Sequence, residues 1–440
     1  MVSYYFHYSK YISPLVKSFP RLKPLHHWTS RAPYQYQKSK TRLNYTPQYV
    51  RTMATNGSSN NGPPSPPVVD KEDVEKKANT LTPAGTKTNN WSKPGPAAFD
   101  FRSDVVTTPT PSMLSAIAST TLLDDVFAED PTTTALETRI ATLTGHPAAL
   151  LVLSGTMGNQ VALRTHLLAP PHAVLCDHRS HIVKHEAGGP ASLSGAFVEA
   201  VRPRNRHHLT LEDVRKYAVL DEDVHSCPTR VISLENTLNG TVIPLSECRR
   251  IAHWAGEKGI RMHLDGARLW EAVASGAGEL EEFCKCFDSV SLCFSKGLGA
   301  PIGSVVVGDE AFIRRARWVR KMLGGGMRQA GVVAAAARVG VEETFLGGRL
   351  RESHESARRV AGMWQGLGGR LRYPVETNMV WLDLEGVGVK EEEFMRLAGE
   401  RGVRVLGGRL VVHYQISDAA IERLGGVMEM VLKGNGGGRG

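Results

Sequence analysis

A lysine in the second half of the chain stands where an amine could act as a nucleophile. In the stretch SVSLCFSKGLGAPIGS, Val290, Leu292 and Phe294 alternate with small or polar residues, which predicts a strand that ends next to Lys296. Burial at a strand end lowers the pKa of a lysine, and a neutral lysine amine can form a Schiff base. The other interpretation is that Lys296 extends to solvent, and this stretch alone favours it.

Three more polar groups follow predicted strands. Glu235 ends the strand RVISLE, Asp265 ends the strand RMHLD, and Ser154 follows the apolar run 148–153. The carboxyl ends of parallel strands meet at one edge of a sheet, where α/β proteins bind their ligands. We therefore expect these groups to converge with Lys296 on one site.

The turn Ser154-Gly155-Thr156 joins a predicted buried strand to a helix predicted over 157–168. Free backbone N–H groups, the helix dipole and two hydroxyl groups make such a turn a candidate anion site. The turn has neither the GK[ST] of a Walker loop nor a GxGxxG fingerprint. An ordinary connection between a strand and a helix is the alternative.

Three histidines, His178, His181 and His185, follow the predicted strand 172–177. The spacing of four between the last two suits a pair of metal ligands on a helix, but the sequence HEAGG interrupts the helix. No third ligand has the spacing of a zinc site, so we predict no metal. The remaining interpretations are an imidazole that stacks on a planar ligand, or plain surface histidines.

Strands that alternate with helices predict an α/β fold in two parts. We expect a large domain over 97–347 with a mostly parallel sheet, and a smaller C-terminal α+β domain over 348–433. Residues 1–96 are predicted to be a disordered N-terminal extension, because they become rich in Asn, Ser, Pro and Gly. Residues 434–440 are predicted to be a Gly-rich tail.

The formal net charge of +9 comes from the N-terminal extension. Nine of the 53 Lys and Arg residues lie between Lys10 and Arg51, and the first acidic residue is Asp70, so 44 basic residues balance 44 acidic ones in the rest. The body therefore gives no reason to expect a nucleic-acid partner. The basic helix predicted over 310–322 is interpreted as a solvated face. No apolar run has the length of a membrane span.

The extension leaves the location of the protein open. An acid-free leader with Arg and Ser resembles a mitochondrial transit peptide, although Met53 as the true start is the alternative. The six cysteines form no CxxC pair, which indicates reduced thiols inside a cell. We predict a cytoplasmic protein, with a mitochondrial location if the extension is genuine.

From Phe99 to about Lys433, the chain resembles the low-specificity threonine aldolases. These are pyridoxal-phosphate enzymes of the aspartate-aminotransferase-like fold, fold type I. The matching strings stand in the order and spacing of the family: FRSDVVT, DDVFAEDPT, SGTMGNQVAL, HEAGG, LENTLNG, HLDGARLW, SKGLGAPIGS and GGGMRQAG.

The resemblance implies a role for each candidate residue around pyridoxal phosphate. Lys296 would bind the cofactor as a Schiff base, and Asp265 would pair with the pyridine nitrogen, so that the ring can act as an electron sink. Gly155 and Thr156 would hold the phosphate. His181 would stack on the ring and is a candidate for the base, directly or through water.

The resemblance also implies substrate contacts and shared sites. Arg268 would contact both the cofactor and the substrate carboxylate, which Ser103 and Arg409 would also bind. Lys321 and Arg328 would add positive charge from a neighbouring subunit. The expected assembly is a homotetramer whose active sites are shared between subunits.

The implied reaction is a retro-aldol cleavage of L-threonine, L-allo-threonine and related β-hydroxy-α-amino acids to glycine and an aldehyde. A base removes the proton of the β-hydroxyl group, and the Cα–Cβ bond then breaks. The alternative enzyme is another fold-type-I lyase acting on β-substituted amino acids. From other classes, a catalytically silent cofactor-binding subunit or a partner-binding protein that works through the basic leader stays open.

Two positions depart from the family pattern. Leu238 stands where the bacterial pattern ENTHNG has a histidine that contacts the substrate hydroxyl group, and Phe127 stands where DVYG has a tyrosine. Both changes remove polar contacts beside the substrate side chain. Selection between threonine and allo-threonine, and the identity of the base, therefore stay open.

Overall fold

The computed structural model describes residues 91–221 and 223–436, all within the unit Pro67–Gly440 of the chain. Most of the predicted N-terminal extension, including Met53, lies outside the described residues, as does the end of the predicted Gly-rich tail. The described part begins beside a short 3-10 helix, Gly95–Phe99.

Two sheets organise the described residues, and the larger one is mostly parallel. Their strands are β1 (Ala148–Val152), β2 (Ala173–Asp177), β3 (Phe197–Val201), β4 (Thr229–Glu235), β5 (Arg261–Gly266), β6 (Ser289–Cys293), β7 (Ser304–Gly308), β8 (Met379–Trp381) and β9 (Arg409–Val411). The large sheet has the order β1-β7-β6-β5-β4-β2-β3, and β8 pairs with β9. In the large sheet, β7 is antiparallel to its neighbours β1 and β6, and all other neighbouring pairs of strands are parallel.

Helices cover both faces of the large sheet and surround the small one. They are α1 (Pro111–Ala118), α2 (Pro131–Thr144), α3 (Gly155–His166), α4 (His181–Lys184), α5 (Gly189–Ser194), α6 (Leu211–Tyr217), α7 (Leu245–Glu257), α8 (Leu269–Ala274), α9 (Leu280–Cys284), α10 (Glu310–Met322), α11 (Gly331–Val339), α12 (Arg349–Gly366), α13 (Glu391–Glu400) and α14 (Asp418–Gly436). None of the described helices has the length and hydropathy needed to cross a bilayer.

Except at the edge strand β3, the large sheet is mostly buried on both faces, which is why β1 reads as a continuous apolar run. Leu151 and Leu264 belong to the core on one face, together with Ile251 of α7. Leu150 points to the opposite face and packs in a cluster that also contains Val161 of α3. Burying one such side chain completely contributes about 1.5–3 kcal/mol, so helices on both faces hold the strand ends in place.

A second core surrounds β8 and β9. It contains Trp364, Phe394 and Leu424 from the three C-terminal helices. Phe101 packs in the same core, and its N–H donates to the carbonyl oxygen of Arg404 at 2.8 Å. Because a residue near the start of the predicted large domain packs in this C-terminal core, the predicted domain boundaries stay predictions.

Local predictions fail where the chain meets distant partners. The alternating residues 403–406 predict a strand in the sequence, but this segment forms only isolated bridges and is bounded by Gly402 and Gly407, both with positive φ. The sequence also predicts Thr132 as the cap of the helix that follows DDVFAEDP, and this prediction is wrong. Asp130 caps α2 instead, because its carboxylate accepts a hydrogen bond from the N–H of Thr133 at 3.0 Å.

Candidate active site at the carboxyl edge of the sheet

The strand ends bring the predicted polar groups together. Glu235 and Asp265 are register partners on β4 and β5, and Lys296 follows β6, the next strand in the sheet. The Lys296 charge acts on the carboxyl groups of Glu235 and Asp104 and favours the ionised form of each, although other effects decide the net pKa shift of both. The edge of the sheet therefore holds an amine beside several acids.

The backbone of Lys296 is fixed from two sides. Its carbonyl oxygen accepts hydrogen bonds from Oγ1 of Thr107 at 3.0 Å and from the N–H of Gly299 at 2.9 Å. The next residue, Gly297, lies against Glu271, because a Cβ atom there would be 2.4 Å from Oε1 of that glutamate. These contacts set the position from which the Lys296 side chain reaches the site.

Asp265 is buried, and both of its carboxylate oxygens are oriented. Oδ1 accepts from the N–H of Ala267 at 3.1 Å, and Oδ2 accepts from Nδ2 of Asn159 at 2.7 Å. The same amide nitrogen donates to Oε1 of Glu186 at 2.8 Å. Asn159, on α3, thus holds two carboxyl groups with its two N–H bonds.

A chain of neutral groups supports Asn159 from behind. Its Oδ1 is 3.1 Å from Nε2 of His263, whose Nδ1 is 2.9 Å from Oγ of Ser289, and this hydroxyl is 2.8 Å from Nε2 of His166. Burial lowers the pKa of His263 to about 4 and that of His166 to about 3. Both rings are therefore neutral at pH 7, and neither offsets the charge of Asp265.

His181 is also held in one orientation. Its Nδ1 lies 2.8 Å from Oε1 of Glu186, and its backbone N–H donates to Oε2 of Glu235 at 2.7 Å. One ring nitrogen of His181 and one carboxylate oxygen each of Glu186 and Asp265 lie within 4.8 Å of one another, a spacing that metal ligands also have. Yet Glu186 already accepts from Asn159 and from Gln160, so we interpret the group as a support for His181.

Glu235 differs from Asp265 in its electrostatics. Burial and the neighbouring Asp265 charge raise the pKa of Glu235 to about 8. Its carboxyl group is therefore mostly protonated at pH 7, and it can donate a hydrogen bond.

The N-terminus of α3 forms the anion site that the turn predicts. Oγ of Ser154 accepts from the N–H of Met157 at 3.1 Å, while the N–H groups of Gly155 and Thr156 have no partner among the described residues. A Cβ atom at Gly155 would lie 2.6 Å from Sγ of Cys293, so only glycine fits at this helix start. Two free N–H groups and the helix dipole can bind a phosphate.

Two arginines of opposite character lie near the amine. Arg268 donates to Oδ2 of Asp104 at 2.8 Å and to Oδ1 at 2.6 Å, and this pair outweighs burial to hold the pKa of Asp104 well below its usual range. Arg409 forms no ion pair with a described residue, and burial and the Arg268 charge lower its pKa. An unpaired, partly buried guanidinium group is suited to bind a carboxylate.

Ser103 lies beside this arginine pair. Its hydroxyl oxygen accepts from the N–H of Val105 at 3.4 Å and lies 3.4 Å from Oδ1 of Asp104. The structure therefore places Ser103 next to the carboxylate that holds Arg268. Its direct contact with a substrate stays a prediction.

Lys321 and Arg328 are exposed, and neither forms a hydrogen bond or ion pair with Lys296 or Asp265 in the described part of the chain. Arg328 instead pairs with Asp124 at 2.7 Å. Within one chain, the structure does not bring these two cations to the other candidate residues.

The two departures from the family pattern differ in environment. Leu238 is buried, with 2% of its surface exposed, and its turn is tied to the C-terminal part by a hydrogen bond from Trp381 Nε1 to the carbonyl oxygen of Asn239 at 2.9 Å. Phe127 is 69% exposed, and the Arg328 guanidinium group lies 5.7 Å from its ring centre. Leucine suits its buried position, whereas Phe127 projects outward.

Three residues of the site have no role predicted from the sequence: Asp104, Asn159 and Glu186. Asp104 directly follows Ser103 in RSDVV, and Glu186 follows His185 in HEAGG, so both stand in strings that already carried the resemblance. Asn159 likewise stands in the matching string SGTMGNQVAL, but its role depends on partners from β5 and from the segment after α4.

Characterised relatives match most of the chain. An aldolase, vrtJ, from Penicillium aethiopicum is 61% identical over 342 residues, which are 78% of this chain and 88% of the relative. An alanine racemase, TOXG, from Cochliobolus carbonum is 46% identical and covers 78% of this chain and 90% of its own length. A low-specificity L-threonine aldolase from Candida albicans is 45% identical, with 74% and 87% covered.

The fold agrees with these relatives. A solved threonine aldolase structure from Leishmania major matches with a TM-score of 0.67 at 20% identity, over 76% of this chain and 99% of that one. This likeness confirms the predicted fold class, with its large, mostly parallel sheet. The family model of the beta-eliminating lyases matches residues 100–386. The chain therefore belongs to the beta-eliminating lyase family.

Proposed function

We propose that this protein is a pyridoxal-phosphate-dependent aldolase that cleaves L-threonine, L-allo-threonine and related β-hydroxy-α-amino acids to glycine and an aldehyde. The observation that carries the proposal is the convergence of Lys296, Asp265 and the free N-terminus of α3 at one sheet edge, beside the unpaired Arg409. The identity with the low-specificity threonine aldolase from Candida albicans supports the same reaction.

The residues at this edge fit the cofactor. The free N–H groups of Gly155 and Thr156 suit its phosphate, and the buried carboxylate of Asp265 suits a protonated ring nitrogen. The Lys296 amine is the group that would hold its aldehyde carbon. When bound, pyridoxal phosphate supplies an electron sink for the pair released when the Cα–Cβ bond breaks.

The chain's own residues would bind and orient the substrate. Arg409 has no partner among the described residues and is free to take the α-carboxylate, while Arg268 is already held by Asp104. His181, oriented by Glu186, would cover one face of the planar ring. These contacts would hold the α-carbon between the Lys296 amine and the Arg409 guanidinium group. The orientation of the bound substrate would then decide which bond to the α-carbon breaks.

A second copy of the chain is part of the proposal. Lys321 and Arg328 lie on an exposed face that also carries large apolar side chains: Leu122, Leu123, Phe127, Trp318 and Met322. An apolar, basic surface of this kind is suited to cover another subunit's active site. We expect a homotetramer in which each copy adds these two cations to its neighbour. The location stays a prediction, cytoplasmic or mitochondrial, since the leader lies outside the described residues.

Alanine racemisation is the second candidate function, because the racemase TOXG is 46% identical over most of both chains. The two reactions break different bonds at the same carbon atom. A racemase removes and returns the α-proton, whereas an aldolase breaks the bond to Cβ and needs a β-hydroxyl group. The cofactor contacts described above are compatible with both.

The test is a product assay with the purified protein. Each of the four threonine stereoisomers and L-alanine is incubated with the holoenzyme, and glycine, acetaldehyde and D-alanine are measured. We expect glycine and acetaldehyde in equal amounts from the L-isomers. D-Alanine from L-alanine, without aldehyde from any threonine isomer, would overturn the proposal in favour of racemisation.

A further inference from the structure

We propose that His185 accepts the proton of the substrate β-hydroxyl group. The inference rests on the proposed aldol cleavage. The turn residue at the position of the histidine in the bacterial pattern is Leu238, which cannot accept a proton and is buried. Cleavage therefore requires another proton acceptor near the substrate side chain.

His185 lies next to the site and has free ring nitrogens. It directly follows α4, and its backbone N–H donates to the carbonyl oxygen of His181 at 2.8 Å. The two imidazole rings are 5.3 Å apart, centre to centre, and are tilted by 50°. The ring of His185 is exposed and forms no hydrogen bond with a described residue.

The other two candidates for this step are less suitable. His181 is held by Glu186 at Nδ1 and by Glu235 at its backbone N–H, and we assign this orientation to stacking on the cofactor ring. Glu235 has a raised pKa of about 8, so at neutral pH it is mostly protonated and cannot take up another proton. His185 has neither restriction.

The charges that surround His185 favour its neutral form. Partial desolvation and the nearby His181, Arg409 and Lys184 lower its pKa, and the opposing effect of Glu186 is smaller. The ring is therefore a base at physiological pH. Arg409, the guanidinium group proposed to hold the substrate carboxylate, is thus one of the charges that act on this ring. The proposal places the β-hydroxyl group of a substrate anchored there beside the ring.

The imidazole nitrogen of His185 takes the hydroxyl proton, and the electron pair of the O–H bond becomes the second bond of the aldehyde carbonyl. The Cα–Cβ bond breaks, and its electron pair stays on the glycyl fragment. His185 gives up this proton after the aldehyde leaves, and the α-carbon of the glycyl fragment takes up one proton to become glycine, so no proton is gained or lost overall.

Two reactions of the same holoenzyme separate this role from a structural one. Threonine cleavage needs the β-hydroxyl base, whereas exchange of a glycine α-proton for deuterium uses the cofactor site without any hydroxyl group. For His185→Phe we expect kcat for cleavage to fall by about 100-fold or more, with glycine exchange and the visible absorption of the cofactor unchanged. His253→Phe, the same change at a histidine whose side chain is 80% exposed on α7, should alter neither reaction.

Chemical rescue and pH dependence complete the test. In His185→Ala, added imidazole should restore threonine cleavage, and the acid limb of the wild-type kcat/KM profile should disappear. Equal losses of cleavage and glycine exchange, or full cleavage in His185→Phe, would overturn the inference. If the wild-type holoenzyme exchanges glycine protons but releases no aldehyde from threonine, the proposed function itself fails, and the wild-type assay alone shows this.

Discussion

Two regions that the resemblance assigns to one active site are built in opposite ways. The strand-end region, formed by Gly155, Asp265, Arg268 and Lys296, is buried or partly buried at the sheet edge and oriented by hydrogen bonds. The α10 face, formed by Phe127, Trp318, Lys321 and Arg328, is exposed, and Trp318 has 80% of its surface in solvent.

The difference shows which half of the site one chain can complete alone. A buried carboxylate such as Asp265 must be satisfied within the fold, so Asn159 and its neutral supporting groups come from the same chain. Large exposed apolar side chains gain free energy only when another surface covers them. Folding of a single chain thus completes the strand-end region, whereas we propose that the α10 face is covered only when a second subunit binds to it.

The largest expected effect is in the strand-end region. Lys296→Ala should lower the rate of threonine cleavage at least about a thousandfold and remove the visible absorption of the bound cofactor, because the attaching amine is gone. Asp265→Ala should keep cofactor binding but cripple turnover, since the electron sink loses its partner. Full cleavage by Lys296→Ala would disprove the assignment of the amine, and normal turnover by Asp265→Ala would disprove that of the carboxylate.

The start of α3 tests how tightly this region is packed. In Gly155→Ala the new methyl group would lie 2.6 Å from Sγ of Cys293, and this overlap should cost about 1–3 kcal/mol, or about 10–100-fold in cofactor affinity. The double variant Gly155→Ala/Cys293→Ala should recover most of the loss. Affinity is measured by cofactor titration, and an undiminished affinity in the single variant would refute the close approach.

A substitution on the α10 face should change how the subunits assemble. Trp318→Glu should shift the protein toward smaller species in sedimentation analysis and reduce activity most at low protein concentration, by about tenfold, because a buried charge weakens an interface. Val224→Glu is the matched control, since Val224 is 92% exposed in a different region. An unchanged assembly in Trp318→Glu would remove this face from the interface.

The smallest expected effect concerns Glu235 and depends on pH. Because the pKa of Glu235 is raised to about 8, its protonated form favours the fold at low pH, and this stability is lost as pH rises through about 8. Glutamine cannot ionise, so Glu235→Gln should be more stable than the wild type at pH 9, by about 2 kcal/mol, and similar near pH 5. Urea denaturation measures the difference, with the exposed Glu310→Gln as control; equal stability at pH 9 would contradict the raised pKa.

The sequence predicts the reactive residues of the strand-end region better than the residues that orient them. Lys296 and Asp265 were found because a strand pattern ends at a polar residue, and this pattern is local. The threonine-aldolase resemblance is confirmed by the family match and the relatives. Asn159 and His263 were not found, because they meet only when α3 docks on β5, 104 positions apart in sequence. The missing strand at 403–406 has the same cause, since its pairing depends on Phe99 and Asp100.

Complementation between two inactive variants tests most directly whether the two regions meet across subunits. Lys296→Ala damages the strand-end region, and Arg328→Ala damages the α10 face. In a mixed pair of subunits, one site would carry both defects and the other neither. Co-assembled in equal amounts, the two variants should regain about a quarter of wild-type threonine cleavage. A mixture no more active than the separate variants would show that each chain builds its active site alone.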